Sequence, residues 1–315
     1  MVAVTQPVLG VRAFVPDFIG TAFQLSLVAT MFAYGLRATV DDVRWLIVRR
    51  RLLTKSLLAS LVALPVAAVA VELTFPMNEM LRVAILALAA CAVPPVVAQQ
   101  EIKAGGCRPY AIGLTVTGAA LSFVLTPLIA EVASFMGRPL AASALGIETA
   151  IFRLLLVPLG TGMLLQWAMP LVAERFSAHV LRIAYVLLGG AILLVLFGAH
   201  MLVRQLLDVG TVFAMLTFSV AALVIGHFMG GPEPDESLVL AMSCANRHPG
   251  VAFAITGAVL PGVNLGAAML LALLVSETVS RSYLLWVRRP TTPVALTTSG
   301  ELLEVDASRD ASAAD

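Results

Sequence analysis

Charged residues are scarce in this sequence. Asp, Glu, Lys and Arg make up 12% of its 315 residues, hydrophobic residues make up 60%, and the mean hydropathy is +0.96. Because soluble domains carry about 25% charged residues, this composition excludes an ordinary soluble protein. The apolar residues run in continuous stretches of about twenty and do not alternate over about ten, so they predict transmembrane helices and not the strands of a barrel.

Residue patterns typical of several functional classes are also absent from the sequence. The three cysteines, Cys91, Cys107 and Cys244, form no CxxC pair or Cys/His cluster, so we expect neither a disulfide framework nor a metal site. No GxSxG, HExxH or Gly-rich phosphate loop is present, which argues against an enzyme. The net charge is +1 and no concentrated basic face indicates nucleic-acid binding. We therefore expect the lipid bilayer as a partner and no cofactor, while the oligomeric state stays open.

The hydrophobic residues form about nine segments long enough to span a membrane. These segments cover residues 16–36, 52–73, 80–100, 109–131, 148–169, 181–203, 211–229, 237–260 and 263–286. Residues 1–15 precede them as an N-terminal extension without the pattern of a signal peptide. Residues 16–288 are the expected transmembrane domain, and the polar tail 289–315 is expected to be disordered and cytoplasmic.

Basic residues are concentrated in alternate loops. One set of loops and the C-terminal end carry Arg37, Arg44, Arg49, Arg50, Arg51, Lys55, Lys103, Arg108, Arg175, Arg182, Arg281, Arg288 and Arg289, whereas the opposite loops carry mainly Arg82, Arg138 and Arg204. Because basic loops stay in the cytoplasm, the N-terminus is expected outside and the C-terminus inside. The pattern predicts an integral protein of a bacterial inner membrane.

Two of the segments are interrupted near their middle. The stretch from Ser237 to Gly257 contains Asn246, Arg247, His248, Pro249 and Gly250. An Arg and a His at mid-membrane depth are costly, and a Pro-Gly pair frees backbone groups that hydrocarbon cannot satisfy. We therefore expect this interruption to line protein or water and to be a functional site.

The second interruption is the pair Pro94 and Pro95, which follows about fourteen apolar residues, or roughly 20 Å of helix. Prolines cannot continue a helix but suit the first turn of a new one, and Pro249 can likewise begin a half-helix at Gly250. The interrupted segments hold corresponding positions in the two halves of the chain and enter from opposite sides. This arrangement predicts an all-α polytopic membrane protein of about nine helices in inverted repeats, with two crossed, discontinuous helices around a transporter binding site.

Three stretches resemble a known family. They are MFAYGLRATVDDVRWLIVRRRLL followed by Pro65, then VPLGTGMLL with Pro158 and Gly160, and finally RHPGVAFAI at the second interruption. Their order and spacing are similar to those of the bile acid:sodium symporter-like transporters, and the chain resembles a divergent bacterial-type member. The resemblance implies a core domain carrying the crossed helices, a panel domain, and secondary active transport of a bile-acid-like or other organic anion by alternating access.

The chain departs from this family at the positions linked to sodium. In the resemblance, Ser243 stands where sodium-coupled members have Glu, Arg247 where they have Gln and His248 where they have Asn; at the first interruption, residues 94–100 replace Pro-Gly-Gly-Thr-Ala-Ser-Asn. Sodium is a hard cation that requires oxygen ligands, whereas a guanidinium carries a permanent positive charge and only donors. We therefore rank proton-coupled or uncoupled transport above sodium-coupled transport.

The candidate site residues follow from these interruptions. The expected substrate-binding residues are Asn246, Arg247, His248, Gln99 and Gln100, although one of the two glutamines must point elsewhere on a helix; the candidates for ion coupling are Ser243, His248 and Glu101. Arg247 binds an anionic substrate or replaces a sodium ion at the crossover; the alternative is a purely structural contact with Glu101 or a carbonyl. His248 carries a proton or is a neutral structural residue.

Other classes of function stay open beside the anion transporter. Cys91 and Cys244 flank the two interruptions and keep an arsenite-type efflux carrier as an alternative, together with a non-transporting membrane sensor. Glu277 lies four residues before Arg281, a spacing that favours an ion pair near the cytoplasmic face.

Overall fold

The computed structural model describes residues 17–77, 79–91, 93–135, 148–149, 151–198, 209–248, 251–252, 266–287, 295–296 and 302–303. The first helices are α1 (Asp17–Gly35), α2 (Val40–Val48), α3 (Arg50–Leu58), α4 (Leu64–Thr74), α5 (Glu79–Ala90), α6 (Pro95–Lys103) and α7 (Arg108–Phe135). They are followed by α8 (Val157–Ala168), α9 (Pro170–Gly198), α10 (Val209–Met229), α11 (Pro234–Ala245) and α12 (Gly266–Val287). In the tail, β1 (Ala295–Leu296) pairs with the antiparallel β2 (Leu302–Leu303).

The helices identify an integral membrane protein. Three described stretches, Arg50–Thr74, Val209–Met229 and Ala268–Val287, are long and apolar enough to cross a bilayer, and Leu81–Ala90 and Phe152–Ala168 are shorter apolar helices. Large apolar side chains also point outward, among them Leu171 with 81% and Phe228 with 77% of their surface exposed. Such exposure suits contact with lipid. The count of nine spans and their inverted repeats stay predictions.

Two helices contain a π-helical turn directly before a proline. The turn Ala59–Ala63 joins α3 to α4 and precedes Pro65, and the turn Phe152–Leu156 leads into α8 and precedes Pro158. A proline ring clashes with the carbonyl four residues earlier and offers no N–H for it. The wider π turn accommodates both prolines, so each helix continues where a regular α-helix would break.

Helix α2 lies where the sequence had suggested only a basic loop. The Thr39 hydroxyl accepts a hydrogen bond from the Asp42 N–H at 3.2 Å, and the Asp42 carboxylate accepts one from the Thr39 N–H at 3.0 Å. These reciprocal bonds form a capping box that starts the helix. Arg49, which follows α2, stacks on Trp45 at 3.7 Å and bonds Glu236 at 2.8 Å. The end of α2 therefore lies beside the start of α11.

The helices of the first compact unit, Met1–Ser280, pack in two groups. Helix α1 packs against α8 and α9, while α2 packs on α7, α6 on α7 and α11, and α10 on α4 and α11. Glycines allow close backbone approach in both groups. A Cβ on Gly162 of α8 would lie 2.4 Å from the Phe32 carbonyl oxygen of α1, and one on Gly226 of α10 would lie 2.4 Å from the Leu240 carbonyl oxygen of α11. These contacts hold the helices of each group together.

Candidate functional site

The third apolar segment consists of two helices separated by a non-helical stretch. Helix α5 ends at Ala90, and Pro94, in an extended conformation, precedes the first residue of α6, Pro95. The Val97 N–H bonds the Pro94 carbonyl at 3.0 Å. Because Pro95 has no N–H to leave unpaired, it fits the first turn of a helix. The two prolines therefore start α6, and the carbonyl end of α5 faces the gap.

The second interruption lies at the end of α11. This helix ends at Ala245, residues 246–248 are not helical, and Val251 and Ala252 are helical again. The His248 carbonyl accepts a bond from the Ala252 N–H at 3.0 Å, and its ring Nδ1 accepts one from the Val251 N–H at 3.4 Å. These are the bonds of a residue that caps a helix N-terminus. The predicted crossover residues Pro249 and Gly250 lie outside the described residues.

The guanidinium of Arg247 joins the two interruptions. Its Nε donates to the Leu88 carbonyl at 3.4 Å, and Nη2 donates to the Ala89 carbonyl at 3.4 Å and to the Cys91 carbonyl. These carbonyls form the end of α5, where the helix dipole favours a positive charge. Arg247 is 7% exposed, and its Nη1 has no hydrogen-bond partner among the described residues. Of the two structural contacts expected from the sequence, the one with backbone carbonyls is present.

Asn246 and His248 are buried on either side of Arg247. The Asn246 amide nitrogen donates to the Met242 carbonyl at 2.9 Å and to the Ser280 hydroxyl at 2.7 Å, so this residue ties the end of α11 to α12. On His248, Nδ1 accepts a bond from Val251 and so carries no proton in this geometry. The arrangement fits the neutral structural histidine among the alternatives that the sequence leaves open.

A cavity of about 90 Å³ opens beside Arg247. At about 15 Å³ for each water, this space has room for roughly six water molecules or a few ligand atoms. Its lining comes from both helix groups and consists of Ser26, Leu27, Thr30, Pro94, Val96, Val97, Gln100, Leu188, Asn246, Arg247, His248, Leu273, Ser276 and Glu277. Four of the five predicted substrate-binding residues therefore face one cavity.

Gln99, the fifth predicted residue, lines a second cavity of about 610 Å³. This larger cavity is also lined by the basic residues Arg37, Lys103 and Arg108. Consecutive residues of an α-helix point about 100° apart, which explains why Gln99 and Gln100 face different cavities. This placement agrees with the expectation that only one of the two glutamines faces the same site as Arg247.

Glu101 faces neither cavity and instead points at α11. Its side chain is fully buried, Oε1 accepts a hydrogen bond from the Ser243 hydroxyl at 2.8 Å, and Oε2 has no hydrogen-bond partner in the described part of the chain. Two of the three residues proposed for ion coupling, Ser243 and Glu101, are therefore in direct contact. They connect the helix that follows the first interruption to the helix that precedes the second.

Sequence reasoning missed four polar residues of the small cavity, namely Ser26, Thr30, Ser276 and Glu277. Ser26 and Thr30 belong to α1, where the Ser26 hydroxyl donates to the Ala184 carbonyl at 2.9 Å and so links α1 to α9. Glu277, which the sequence predicts as an ion-pair partner of Arg281, also lines the cavity and accepts a bond from Gln100 at 3.4 Å. The polar side chains of these four residues within otherwise apolar segments are the sequence signal that could have identified them as cavity residues. Cys91 and Cys244 are free and buried, and no described residue lining the cavities is a cysteine.

A comparison with protein families supports the resemblance drawn from the three motifs. The model described as the Sodium Bile acid symporter family matches residues 24–226, which is more than half of the 315 residues. The matched region includes the first interruption and ends before Ser243, Asn246, Arg247 and His248. A search of curated proteins found no significant match.

Proposed function

Because the chain belongs to the sodium bile acid symporter family, we propose that it is a secondary active transporter that moves a small organic anion across a bacterial inner membrane. Nine transmembrane helices in two inverted repeats, with the N-terminus outside, form its transport domain. The group of α1, α8 and α9 acts as the panel, and the group containing the interrupted helices acts as the core. Both cavities have lining residues from both groups, so sliding of one group against the other opens the site to alternate sides.

The observation that carries this proposal is the position of Arg247. Its guanidinium is held against the carbonyl end of α5 by Nε and Nη2, while the residue also lines the small cavity and Nη1 has no described partner. A buried, oriented cation with a spare donor attracts a carboxylate strongly, because little water competes for either charge. The Gln100 amide nitrogen, which uses one hydrogen in its bond to Glu277, has a second hydrogen that can donate to such a ligand.

The same position argues against a requirement for sodium. The guanidinium bonds three carbonyl oxygens, a type of ligand that a hard cation would otherwise use. A permanent charge at this point leaves an additional sodium ion facing electrostatic repulsion at close range. Transport driven by another gradient, or by the anion gradient alone, fits this arrangement. The 610 Å³ cavity with its three basic residues serves as an approach for anions.

The test is uptake by purified protein in liposomes. Radiolabelled cholate and a panel of smaller carboxylates are offered in sodium buffer and in choline buffer of equal ionic strength. We expect uptake of at least one anion in both buffers, loss of that uptake in Arg247→Gln, and normal uptake in Arg44→Gln, which alters an exposed arginine of α2. A strict sodium requirement would overturn the coupling proposal, and full activity of a correctly folded Arg247→Gln would remove Arg247 from the substrate site.

A further inference from the structure

Glu101 is a buried acid that the anion-binding site does not use. It is 0% exposed, and its single described hydrogen bond comes from the Ser243 hydroxyl. An ionised carboxylate accepts at about four positions and is rarely buried without several donors or a cation. With Oε2 lacking a described partner, the charged form would be poorly compensated at this place.

In the part of the chain that the structure describes, no positively charged group is in direct contact with Glu101. Each helix packed against α6 presents one weakly acidic group close enough to interact with it: Tyr34 from α1, Tyr110 from α7 and Cys244 from α11. Phenols and thiols are uncharged at neutral pH. The basic residues that follow Glu101 in the sequence, Lys103 on α6 itself and Arg108 on α7, are exposed and line the larger cavity together with Arg37.

We infer that Glu101 is the proton-binding group of the transporter, and that it carries one proton across the membrane with each anion. This inference rests on the proposed function. The proton binds Oε2 of the carboxylate when the site faces one side, forming a neutral carboxylic acid, and the same O–H bond breaks when the site faces the other side. Ser243 keeps Oε1 in place by its hydroxyl bond throughout.

Charge balance explains why proton and anion travel together. In the empty carrier, the charges of Arg247 and of an ionised Glu101 cancel each other. In the loaded carrier, a monoanion beside Arg247 and a proton on Glu101 leave the same total charge, and Glu277, which also lines the small cavity, keeps the same state in both. If only the proton or only the anion binds, one unbalanced charge is left in the membrane interior, which is costly. The two states of equal charge are therefore the ones that change orientation, and transport of a monoanion is electroneutral.

His248, another titratable residue of the site, is less suited to this role. Its Nδ1 accepts the N–H of Val251, the first helical residue described after the second interruption. A proton on Nδ1 would place two donors against each other and remove the cap. Glu101 can bind a proton on Oε2 without breaking any described bond.

One experiment needs no substrate. Infrared spectra of the purified protein in lipid nanodiscs are recorded over a range from acidic to alkaline pH for the wild type and for Glu101→Gln, which has nearly the same shape. We expect the difference spectrum to contain the carbonyl band of a buried, protonated carboxylic acid at acidic pH, and this band to disappear as the pH rises and Glu101 releases its proton. Absence of the band at every pH overturns the inference. Glu101→Asp, which keeps a carboxyl group, retains the band and shows that its loss in Glu101→Gln does not come from unfolding.

The second experiment measures transport of cholate or of whichever small carboxylate the wild type carries. Glu101→Gln resembles the protonated form permanently, so we expect it to exchange internal for external anion but to lose accumulation driven by a pH gradient. Glu72→Gln, a mostly buried carboxyl that pairs with Arg82 away from the site, keeps both activities. Ser243→Ala removes a donor that favours the ionised form, so its uptake profile shifts to higher pH.

These outcomes separate the two proposals. If Glu101→Gln accumulates anion down a pH gradient as the wild type does, the proton-binding role is wrong while the transporter assignment stands. If the wild type carries none of the anions in either buffer, the proposed function fails and the coupling role fails with it, even when the infrared band is present.

Discussion

Replacing Arg247 by Met removes the cation that caps the end of α5. The three carbonyl oxygens of Leu88, Ala89 and Cys91 then lose a charged donor at a buried place. A hydrogen bond to a charged group contributes about 1.5–3 kcal/mol. Two of the bonds are long, at 3.4 Å, so we count the three contacts together as one to two full bonds. The sum is about 3 kcal/mol, at the lower end of the cost of removing one partner from a buried charged contact.

This cost is measurable as a change in thermal unfolding of the detergent-solubilised protein. At about 2–4 °C for each kcal/mol, the midpoint of Arg247→Met should fall by about 6–12 °C. The control Arg44→Met removes an exposed arginine of α2 and should change stability by less than about 0.5 kcal/mol. If both variants unfold at the wild-type temperature, the guanidinium does not hold the crossover and the reasoning is refuted.

The same assay tests whether the guanidinium occupies the place of a cation. The wild-type midpoint should be equal in sodium chloride and in choline chloride of the same ionic strength. In Arg247→Gln, the freed carbonyl oxygens and the new amide oxygen can coordinate sodium, so this variant should be more stable in the sodium salt. Equal midpoints of Arg247→Gln in the two salts would contradict this account.

Two further predictions concern packing and charge outside the site. Gly162→Ala places a Cβ against the Phe32 carbonyl and should lower the free energy of unfolding by about 1–3 kcal/mol. Gly160→Ala should not, because an added Cβ there has no neighbouring atom within 4 Å. Equal unfolding midpoints of the two variants would contradict the close contact of α1 and α8. A double-mutant cycle of Arg49→Ala and Glu236→Ala, measured by unfolding, should give a coupling energy below about 1 kcal/mol, because the Arg49 side chain is 49% exposed. A larger coupling energy would mean that Trp45 and Glu236 hold the arginine more firmly than its exposure implies.

Local chemistry made the two interruptions predictable. Pro94 and Pro95 cannot continue a helix in any surroundings, and an arginine in the middle of an apolar segment requires a partner wherever that segment lies. The partners themselves could not be predicted. The Ser243 hydroxyl and the Glu101 carboxylate are 142 residues apart in the chain, and only the packing of α6 on α11 brings them together.

Helix α2 was missed although its signal was present. Thr39 followed by Asp42 is the spacing of a capping box, but the basic residues nearby were interpreted as a loop that sets membrane orientation. The role of Glu277 in the cavity is not visible in the sequence for a related reason. From the sequence alone, Arg281 four residues later is a sufficient partner for the Glu277 carboxylate. The position of Glu277 beside Gln100 depends on how α12 packs against the interrupted helices.

The three consecutive side chains of α6 also determine which genetic changes this segment tolerates. Gln99, Gln100 and Glu101 point to the large cavity, the small cavity and α11 in turn. A substitution at one of these positions changes one of the three contacts and leaves the other two unchanged. Insertion or deletion of one residue after Pro95 would turn the rest of α6 by about 100° and reassign all three side chains at once. We therefore expect homologous chains to vary in residue type along α6 but to keep its length.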